Sequence, residues 1–301
     1  MAPQKTRMLL AGVTGVAVGS AAMSGYAASR LTESSVLSAA AFSATLSWWW
    51  FRVVGGAEGL SRAVHTGATS LRHPFSTGDV KADHVRVVFV SDTHMRHSHL
   101  VGKLPPGDVL VHCGDMTMDG TLEELRGVAA WFKSMAKDFE AIVAIPGNHD
   151  YCLEPASSDF QAARAELATC CTLLMDSEVV VCGLRIYGTP WTPPIPRRKP
   201  MAFQLSDLTS KWAQIPDGID ILVSHGPPRG RLDRIILGYN VGCPDLRATV
   251  ERVRPSIVAF GHIHEAYGTE LHDGIVYINA ATANLLYEPT HRVPVYDVPK
   301  L

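Results

Sequence analysis

Short apolar runs, rich in β-branched residues, recur along the chain from Val85 onward, and each run ends in a cluster of polar residues. Near-continuous apolar runs of this length are typical of strands buried on both faces of a sheet. Helix-like stretches lie between them, and one opens with a capping pattern at Thr121 and Glu124. The alternation predicts an α/β layered fold, with helices covering the sheets. The predicted strands are 85–90, 109–111, 141–145, 219–223, 257–260 and 276–278, and the predicted helices are 121–137, 160–168 and 243–253.

Residues 1–54 have a different pattern and form an apolar N-terminal appendage. No charged residue lies between Arg7 and Arg30, or between Glu33 and Arg52. The first run is long enough to span a bilayer, whereas the second is near the lower limit and ends in aromatic residues that resemble an interfacial anchor. One interpretation is therefore membrane association through residues 8–51, folded as a helical hairpin.

Other interpretations of the appendage stay open. Both runs are diluted with Ala, Gly, Ser and Thr, which weakens membrane insertion. Lys5 and Arg7 before an apolar run also fit a cleaved signal peptide, and the acid-free stretch up to Arg30 fits an organellar transit peptide. A disordered or packed extension is the remaining alternative. Glycine and proline then punctuate a linker at residues 55–84, and residues 85–301 form the main domain.

Composition limits the classes of partner. The 301 residues are 47% hydrophobic, enough for one large domain with a full core. A formal net charge of −2 provides no global basic field, so no obligatory nucleic-acid partner is expected. Six cysteines form no CxxC pair, which indicates reduced thiols in a reducing compartment. We therefore expect a membrane-associated cytoplasmic location, or a mitochondrial one if the appendage is a transit peptide.

The first two polar clusters combine carboxylates with a histidine. Asp92 and His94 follow the first predicted strand, and in extended backbone they would point to the same side and bind one cation together. After the second strand, Gly114 allows a close turn, and Asp115 offers two oxygens that could bridge two cations. Each motif alone is also typical of an ordinary aspartate turn, which is what we expect of Asp119.

Three further clusters add neutral ligands. Asn148 follows the third strand and offers a carbonyl oxygen, while His149 beside it can point toward a substrate. His225 ends the fourth strand, and His262 and His264 follow the fifth with the same alternate spacing as the first cluster. Imidazole suits Mn, Fe and Zn among other cations. Five such clusters, each at a predicted strand end where ligands gather in layered α/β folds, predict one shared site.

With these motifs, the chain resembles the calcineurin-like metallophosphoesterase superfamily, whose pattern of DxH, GD, GNH, an isolated His and GHxH is matched at every position. Other stretches resemble the small metallophosphoesterase-domain-containing subfamily known from vertebrate brain, and extend the similarity over roughly residues 86–299. The resemblance implies a sandwich of two mixed β-sheets flanked by helices. The stretches are IYGTPWTPP at 186–194, IPDGIDILVSHGPPRG at 215–230, VGCPDL at 241–246, VRPSIVAFGHIHEAYG at 253–268 and YINAATANLLYEP at 277–289.

The resemblance also implies a binuclear centre in which Asp115 bridges two divalent cations, which are Mn, Fe or Zn. His149 matches the superfamily histidine assigned to the leaving group, and Asp150 could orient its imidazole by a hydrogen bond. Arg96, just beyond the DxH motif, is a candidate phosphate contact together with Asn148 and His149. The implied ligands are Asp92, His94, Asp115 and His264 for the first cation, and Asp115, Asn148, His225 and His262 for the second.

The implied activity is hydrolysis of a phosphate ester by a hydroxide held between the cations, with phosphodiesters or cyclic nucleotides as expected substrates. Some vertebrate members have Gly for the first His of GHxH and are weak enzymes occupied by a mononucleotide, whereas this chain retains His262. The alternative is a weakly active nucleotide-binding or scaffolding module. Trp191 and Tyr267 are candidates to stack on a base, although such aromatics more often belong to a core.

Overall fold

The computed structural model describes residues 82–196 and 199–300. The predicted appendage, its membrane association through residues 8–51 and nearly all of the predicted linker lie outside these residues. Within the described ranges, no helix combines the length and apolarity that crossing a membrane requires.

The first sheet has five strands, in the order β11, β1, β2, β3, β4. β1 to β4 are parallel, and β11 pairs antiparallel with β1 at the edge, so the sheet is mixed. The carboxyl ends of the parallel strands therefore meet at one edge. The strands are β1 His84–Val90, β2 Val109–His112, β3 Ala141–Ala144, β4 Thr172–Leu173 and β11 Val295–Pro299.

The second sheet has six strands, in the order β5, β6, β7, β8, β10, β9. Its four central strands are parallel, and the two edge strands pair antiparallel with their neighbours. The strands are β5 Ser177–Val181, β6 Leu184–Thr189, β7 Ile221–Ser224, β8 Ile257–Phe260, β9 Gly268–His272 and β10 Ile275–Asn279.

The three predicted helices form, each within two residues of its predicted ends. The predicted capping box is present, because the Thr121 hydroxyl accepts from the Glu124 N–H at 3.2 Å and the Glu124 carboxylate accepts from the Thr121 N–H at 3.3 Å. A short additional helix precedes β7. The helices are α1 Leu122–Met135, α2 Phe160–Leu167, α3 Thr209–Trp212 and α4 Pro244–Val253, with 3₁₀ turns at His97–Leu100, Tyr151–Leu153 and His264–Ala266.

Within the part of the chain that the structure describes, three apolar cores hold the layers together. Alternate residues of β1 face opposite sides: Val87 and Phe89 belong to the core between the sheets, while Val88 and Val90 belong to the core beneath α1 and α2. On the far side, α4 packs against the outer face of the second sheet, with Val250 and its neighbours in one core with β7 and β8. The predicted α/β fold of two mixed sheets flanked by helices is therefore confirmed, and loops from both sheets reach a common edge.

Candidate metal centre

Loops that follow five strands bring the sequence-predicted ligands together. Asp92 and His94 follow β1, Asp115 follows β2, and Asn148 follows β3. His225 follows β7 in the second sheet, and the remaining two histidines follow β8. Most of these polar side chains are buried. Buried polar groups need partners, and here they find them in one another.

The ligands proposed for the first cation form a compact group. The Nε2 atom of His264 lies 3.2 Å from Oδ1 of Asp92 and 3.3 Å from Nε2 of His94. Oδ2 of Asp115 lies 3.7 Å from the same His94 nitrogen. Ligand atoms of Asp92, His94 and His264 all lie within 4.8 Å of one another, which is the spacing of groups that can hold one ion.

The ligands proposed for the second cation form a neighbouring group. Nε2 of His225 lies 2.9 Å from Oδ1 of Asn148 and 3.3 Å from Oδ1 of Asp115. The imidazole of His262 lies edge-on to that of His225, with ring centroids 5.0 Å apart. Asp115 thus directs one carboxylate oxygen toward each group, which is the placement that a bridging ligand requires.

Hydrogen bonds to backbone carbonyls fix the orientation of each of four imidazoles at the centre. The Nδ1 atoms of His225, His264, His94 and His149 lie 2.9, 3.0, 3.3 and 2.7 Å from carbonyl oxygens. A carbonyl oxygen only accepts, so each Nδ1 carries a proton and donates it. Each Nε2 is left to face the centre, in the arrangement typical of metal-binding histidines. The carbonyls belong to Cys113, Asn284, Thr117 and Met118, respectively.

The side chains converge by a different backbone geometry from the one expected. The sequence analysis placed Asp92 and His94 in extended backbone, but their φ angles are +52° and +41°. Asp115 and His262 are also left-handed, with φ of +56° and +67°. Left-handed φ is uncommon outside glycine, and clusters of such residues mark functional sites that the surrounding structure enforces. Strained turns therefore aim these ligands, and strand alternation does not.

Two motif glycines allow the loops to approach this closely. A Cβ atom on Gly261 would collide with the carboxylate of Asp92 and the hydroxyl of Ser91. A Cβ atom on Gly147 would collide with the Asp115 carboxylate and lie 2.7 Å from a ring carbon of His225. Glycine is needed at both positions because the ligands occupy the space that a side chain would fill.

The expected hydrogen bond from Asp150 to the imidazole of His149 does not form. His149 directs Nδ1 to the Met118 carbonyl, and its backbone N–H donates to Oδ1 of Asp115 at 2.8 Å. The Asp150 carboxylate instead accepts from the N–H groups of Gly147 and Thr117, at 2.8 and 2.9 Å, and from the Thr117 hydroxyl at 2.6 Å. Asp150 thus ties the loop after β3 to the loop after β2. Burial, and then the charge of Asp115, raise its pKa to about 6.

Carboxylates and imidazoles balance each other's charge. Burial by itself raises the pKa values of Asp92 and Asp115, but the facing imidazoles of His264 and His225 hold both below their usual range. Burial likewise acts to lower the pKa of His225, yet the Asp115 carboxylate raises it to about 9. His264, hydrogen bonded to Asp92, reaches a pKa of about 9 in the same way. Protonated imidazoles therefore neutralise the carboxylates, a role that bound cations can take over.

This set of donors fits divalent cations. Two buried carboxylates, an amide oxygen and four imidazoles are crowded together, and once the imidazoles are neutral this concentration of lone pairs is unfavourable unless cations lie between them. Nitrogen and oxygen ligands of this kind suit Mn, Fe or Zn. His149 also lies within ligand range of His94 and Asp115, so geometry alone permits it to bind metal.

Other sequence candidates lie in different surroundings. Arg96 is exposed in the loop after β1. Next to it, His97 is half-buried and stacks on the ring of Trp131, with ring centroids 5.2 Å apart. Of the aromatic candidates, Trp191 lies under the Lys211 ammonium at 4.2 Å and Tyr267 stacks on a histidine at 4.3 Å.

Sequence reasoning missed Tyr287, whose ring contacts three imidazoles of the centre. The residue lies within the YINAATANLLYEP stretch that carried part of the family resemblance. Its spacing from the ligand motifs has no regularity that could have revealed this contact.

Comparisons with known proteins identify the family of this chain. Residues 85–266 match the profile of the calcineurin-like phosphoesterase family. Human "Metallophosphoesterase domain-containing protein 1" is 36% identical over 244 residues, covering 72% of this chain and 72% of that protein. A UPF0046 protein of Caenorhabditis elegans is 33% identical over 231 residues, covering 71% of this chain and 81% of that protein. One solved structure has 14% identity and a TM-score of 0.51, covering 71% of this chain and 99% of its own, and supports the fold alone. This chain therefore belongs to the calcineurin-like phosphoesterase family.

Proposed function

We propose that this metal-dependent phosphoesterase hydrolyses phosphodiesters, including cyclic nucleotides, at a centre that holds two divalent cations. The observation that carries the proposal is the position of Asp115, with one carboxylate oxygen toward His94 and the other toward His225. The first cation would be held by Asp92, His94, Asp115 and His264, and the second by Asp115, Asn148, His225 and His262. Such cations lower the pKa of water and neutralise developing charge on phosphoryl oxygens.

Side chains at the centre would position the second cation, act on the leaving group and contact the phosphate. Asn148 and His225 form one side of the centre, where the amide oxygen and the imidazole Nε2 lie 2.9 Å apart and would both face the second cation. His149 is half-exposed, and with Nδ1 bound to a carbonyl its Nε2 is the nitrogen available to a leaving group. Arg96, exposed two residues after His94, is the proposed phosphate contact.

The charge of the surroundings supports a diester. In residues 82–196 and 199–300, the hydrogen bonds of the seven ligand side chains run to one another, to backbone groups and to Met201, and none runs to Lys or Arg. A phosphodiester carries one negative charge, whereas a phosphomonoester carries up to two. With Arg96 as the one cationic side chain proposed to contact the phosphate, this centre suits the less charged ester.

A metal-titrated assay tests this function. The chain, depleted of metal, is titrated with Mn²⁺, Fe²⁺ or Zn²⁺, and turnover of bis-p-nitrophenyl phosphate, p-nitrophenyl phosphate and a cyclic nucleotide is measured. We expect metal-dependent turnover that favours the diesters. Stoichiometric metal binding without turnover would instead favour a nucleotide-binding or scaffolding module, and faster turnover of the monoester would overturn the diester preference.

The bridging position of Asp115 predicts the most damaging substitution. Asp115→Asn should lower both metal occupancies and reduce kcat by more than the roughly 10- to 100-fold typical of losing an outer hydrogen-bonding partner. Asp119→Asn is the matched control, because Asp119 is exposed in the same loop. Metal content and kcat are measured together. A variant that keeps two cations and substantial turnover would contradict the bridging role.

A further inference from the structure

Tyr287 lies at the metal centre although no sequence motif points to it. Its ring centroid is 4.8 Å from that of His94, 5.4 Å from that of His264 and 6.3 Å from that of His149. All three contacts are edge-to-face. Tyr287 therefore forms a wall beside two ligands proposed for the first cation and beside the histidine proposed to act on the leaving group.

The turn that carries Tyr287 is attached to one of those ligands. Asn284 opens the turn, and its side-chain oxygen accepts from the N–H groups of Leu286 and Glu288 at 2.8 and 3.1 Å. The Asn284 carbonyl accepts from Nδ1 of His264 at 3.0 Å and from the N–H of Tyr287 at 2.9 Å. One backbone carbonyl thus fixes the position of both the ligand and the aromatic residue.

The backbone at Tyr287 is strained in a way that core packing does not explain. Its φ is +59°, which is rare for a bulky side chain and is found where surrounding contacts enforce it. The preceding residues Leu285 and Leu286 are exposed, so the turn does not serve to bury apolar side chains. The arrangement directs one aromatic ring from an exposed turn onto the metal centre.

The other aromatic candidates are already engaged. The ring of Trp191 is covered by the Lys211 ammonium, and Tyr267 is stacked on His291. Among residues 82–196 and 199–300, Tyr287 is the one Phe, Tyr or Trp in ring contact with a proposed ligand histidine. It is also only half-buried, so part of the residue remains accessible to a bound molecule.

We propose that Tyr287 contacts the substrate and makes the site favour phosphate esters that carry a flat aromatic group beside the phosphorus. The phosphoryl group lies at the cations, and the organic group packs against the part of the Tyr287 ring that the imidazoles leave uncovered. This inference rests on the proposed phosphoesterase function of the same site. Ring–ring packing adds affinity beyond the area it buries.

Phosphonates test the contact without turnover, because their P–C bond is not hydrolysed. Phenylphosphonate and methylphosphonate carry the same charged head and differ in the aromatic ring. Calorimetric titration of the metal-loaded full chain should give a Kd roughly tenfold lower for phenylphosphonate. Tyr287→Ala and Tyr287→Leu should lose most of that preference and keep the Kd of methylphosphonate, while Tyr287→Phe should retain the preference. Metal content is measured for every variant.

Leu286→Ala is the matched control, because its side chain is exposed on the same turn, and it should behave as the unmodified chain. The proposal would be overturned if the unmodified chain bound neither phosphonate, or bound both with the same Kd. It would also be overturned if Tyr287→Leu still bound phenylphosphonate more tightly than methylphosphonate. Loss of metal in Tyr287→Ala and Tyr287→Leu would make Tyr287 a positioning residue for the imidazoles. The phosphonate titration measures binding without hydrolysis. A chain that binds phenylphosphonate as expected but hydrolyses no ester would therefore contradict the proposed function and not the Tyr287 contact.

Discussion

At the residue scale, two neighbours in the loop after β3 face different groups. Asn148 directs its amide oxygen to His225, whereas His149 directs Nδ1 to the Met118 carbonyl. Asn148→Ala should therefore lower occupancy of the second cation. His149→Ala should keep both cations and slow turnover by roughly 10²- to 10⁴-fold, as expected for loss of a general acid.

The leaving group separates the possible roles of His149. If it donates a proton, His149→Ala should impair an alkyl ester severely and a nitrophenyl ester slightly, because nitrophenolate departs without a proton. Equal impairment on both esters would instead indicate positioning. Loss of a cation would make His149 a ligand, which its distance to His94 and Asp115 also permits.

Gly261 provides a test of close packing in the centre. Gly261→Ala places a methyl group against the Asp92 carboxylate and the Ser91 hydroxyl, so the first cation should bind more weakly and thermal stability should fall. Gly127→Ala is the control: it lies inside α1, where the nearest atom is the flexible end of Met95 at 3.2 Å, and replacing a helical glycine is stabilising by about 0.5–1 kcal/mol. Unchanged metal affinity in Gly261→Ala would contradict the packing argument.

At the scale of elements, Asp150 joins the loops that follow β2 and β3. Its two oxygens accept four hydrogen bonds, from Gly147, Met116 and Thr117. In Asp150→Asn an amide nitrogen would face some of these donors and leave them unsatisfied, at a cost of about 1–3 kcal/mol.

Urea denaturation of Asp150→Asn should therefore show a lower midpoint, accompanied by weaker metal binding because Asp115 lies in one of the joined loops. Asp119→Asn, the same chemical change at an exposed position nearby, should leave both quantities unchanged. Normal stability with altered turnover would point instead to a direct role of Asp150 in the reaction.

At the scale of the whole molecule, every proposed ligand lies between Asp92 and His264, in loops that follow strands of the two sheets. We therefore expect a chain that lacks residues 1 to about 80 to fold and to bind metal with unchanged stoichiometry. Circular dichroism, thermal unfolding and metal analysis would check this. Failure to fold would show that the apolar N-terminal runs complete the core.

The sequence by itself determined six of the eleven described strands, three of the four described α-helices and the identity of the clustered side chains. Continuous apolar runs predicted β1, β2, β3, β7, β8 and β10 because strands buried on both faces need them along their whole length. Several strands were not predicted because they lack a continuous apolar run. β5 is largely exposed and pairs at a sheet edge, and β4 has only two residues, so neither has a strong local signal.

Tertiary structure decided how those side chains are aimed. The left-handed turns at Asp92, His94 and Asp115 are unfavourable locally, and contacts between distant loops enforce them, so no local pattern predicts them. The partners of Asp150 and the approach of Tyr287 to His264 likewise depend on segments far apart in the chain. Local sequence identifies the residues that end a strand. The distances between loops of the two sheets are set only when the sheets pack against each other.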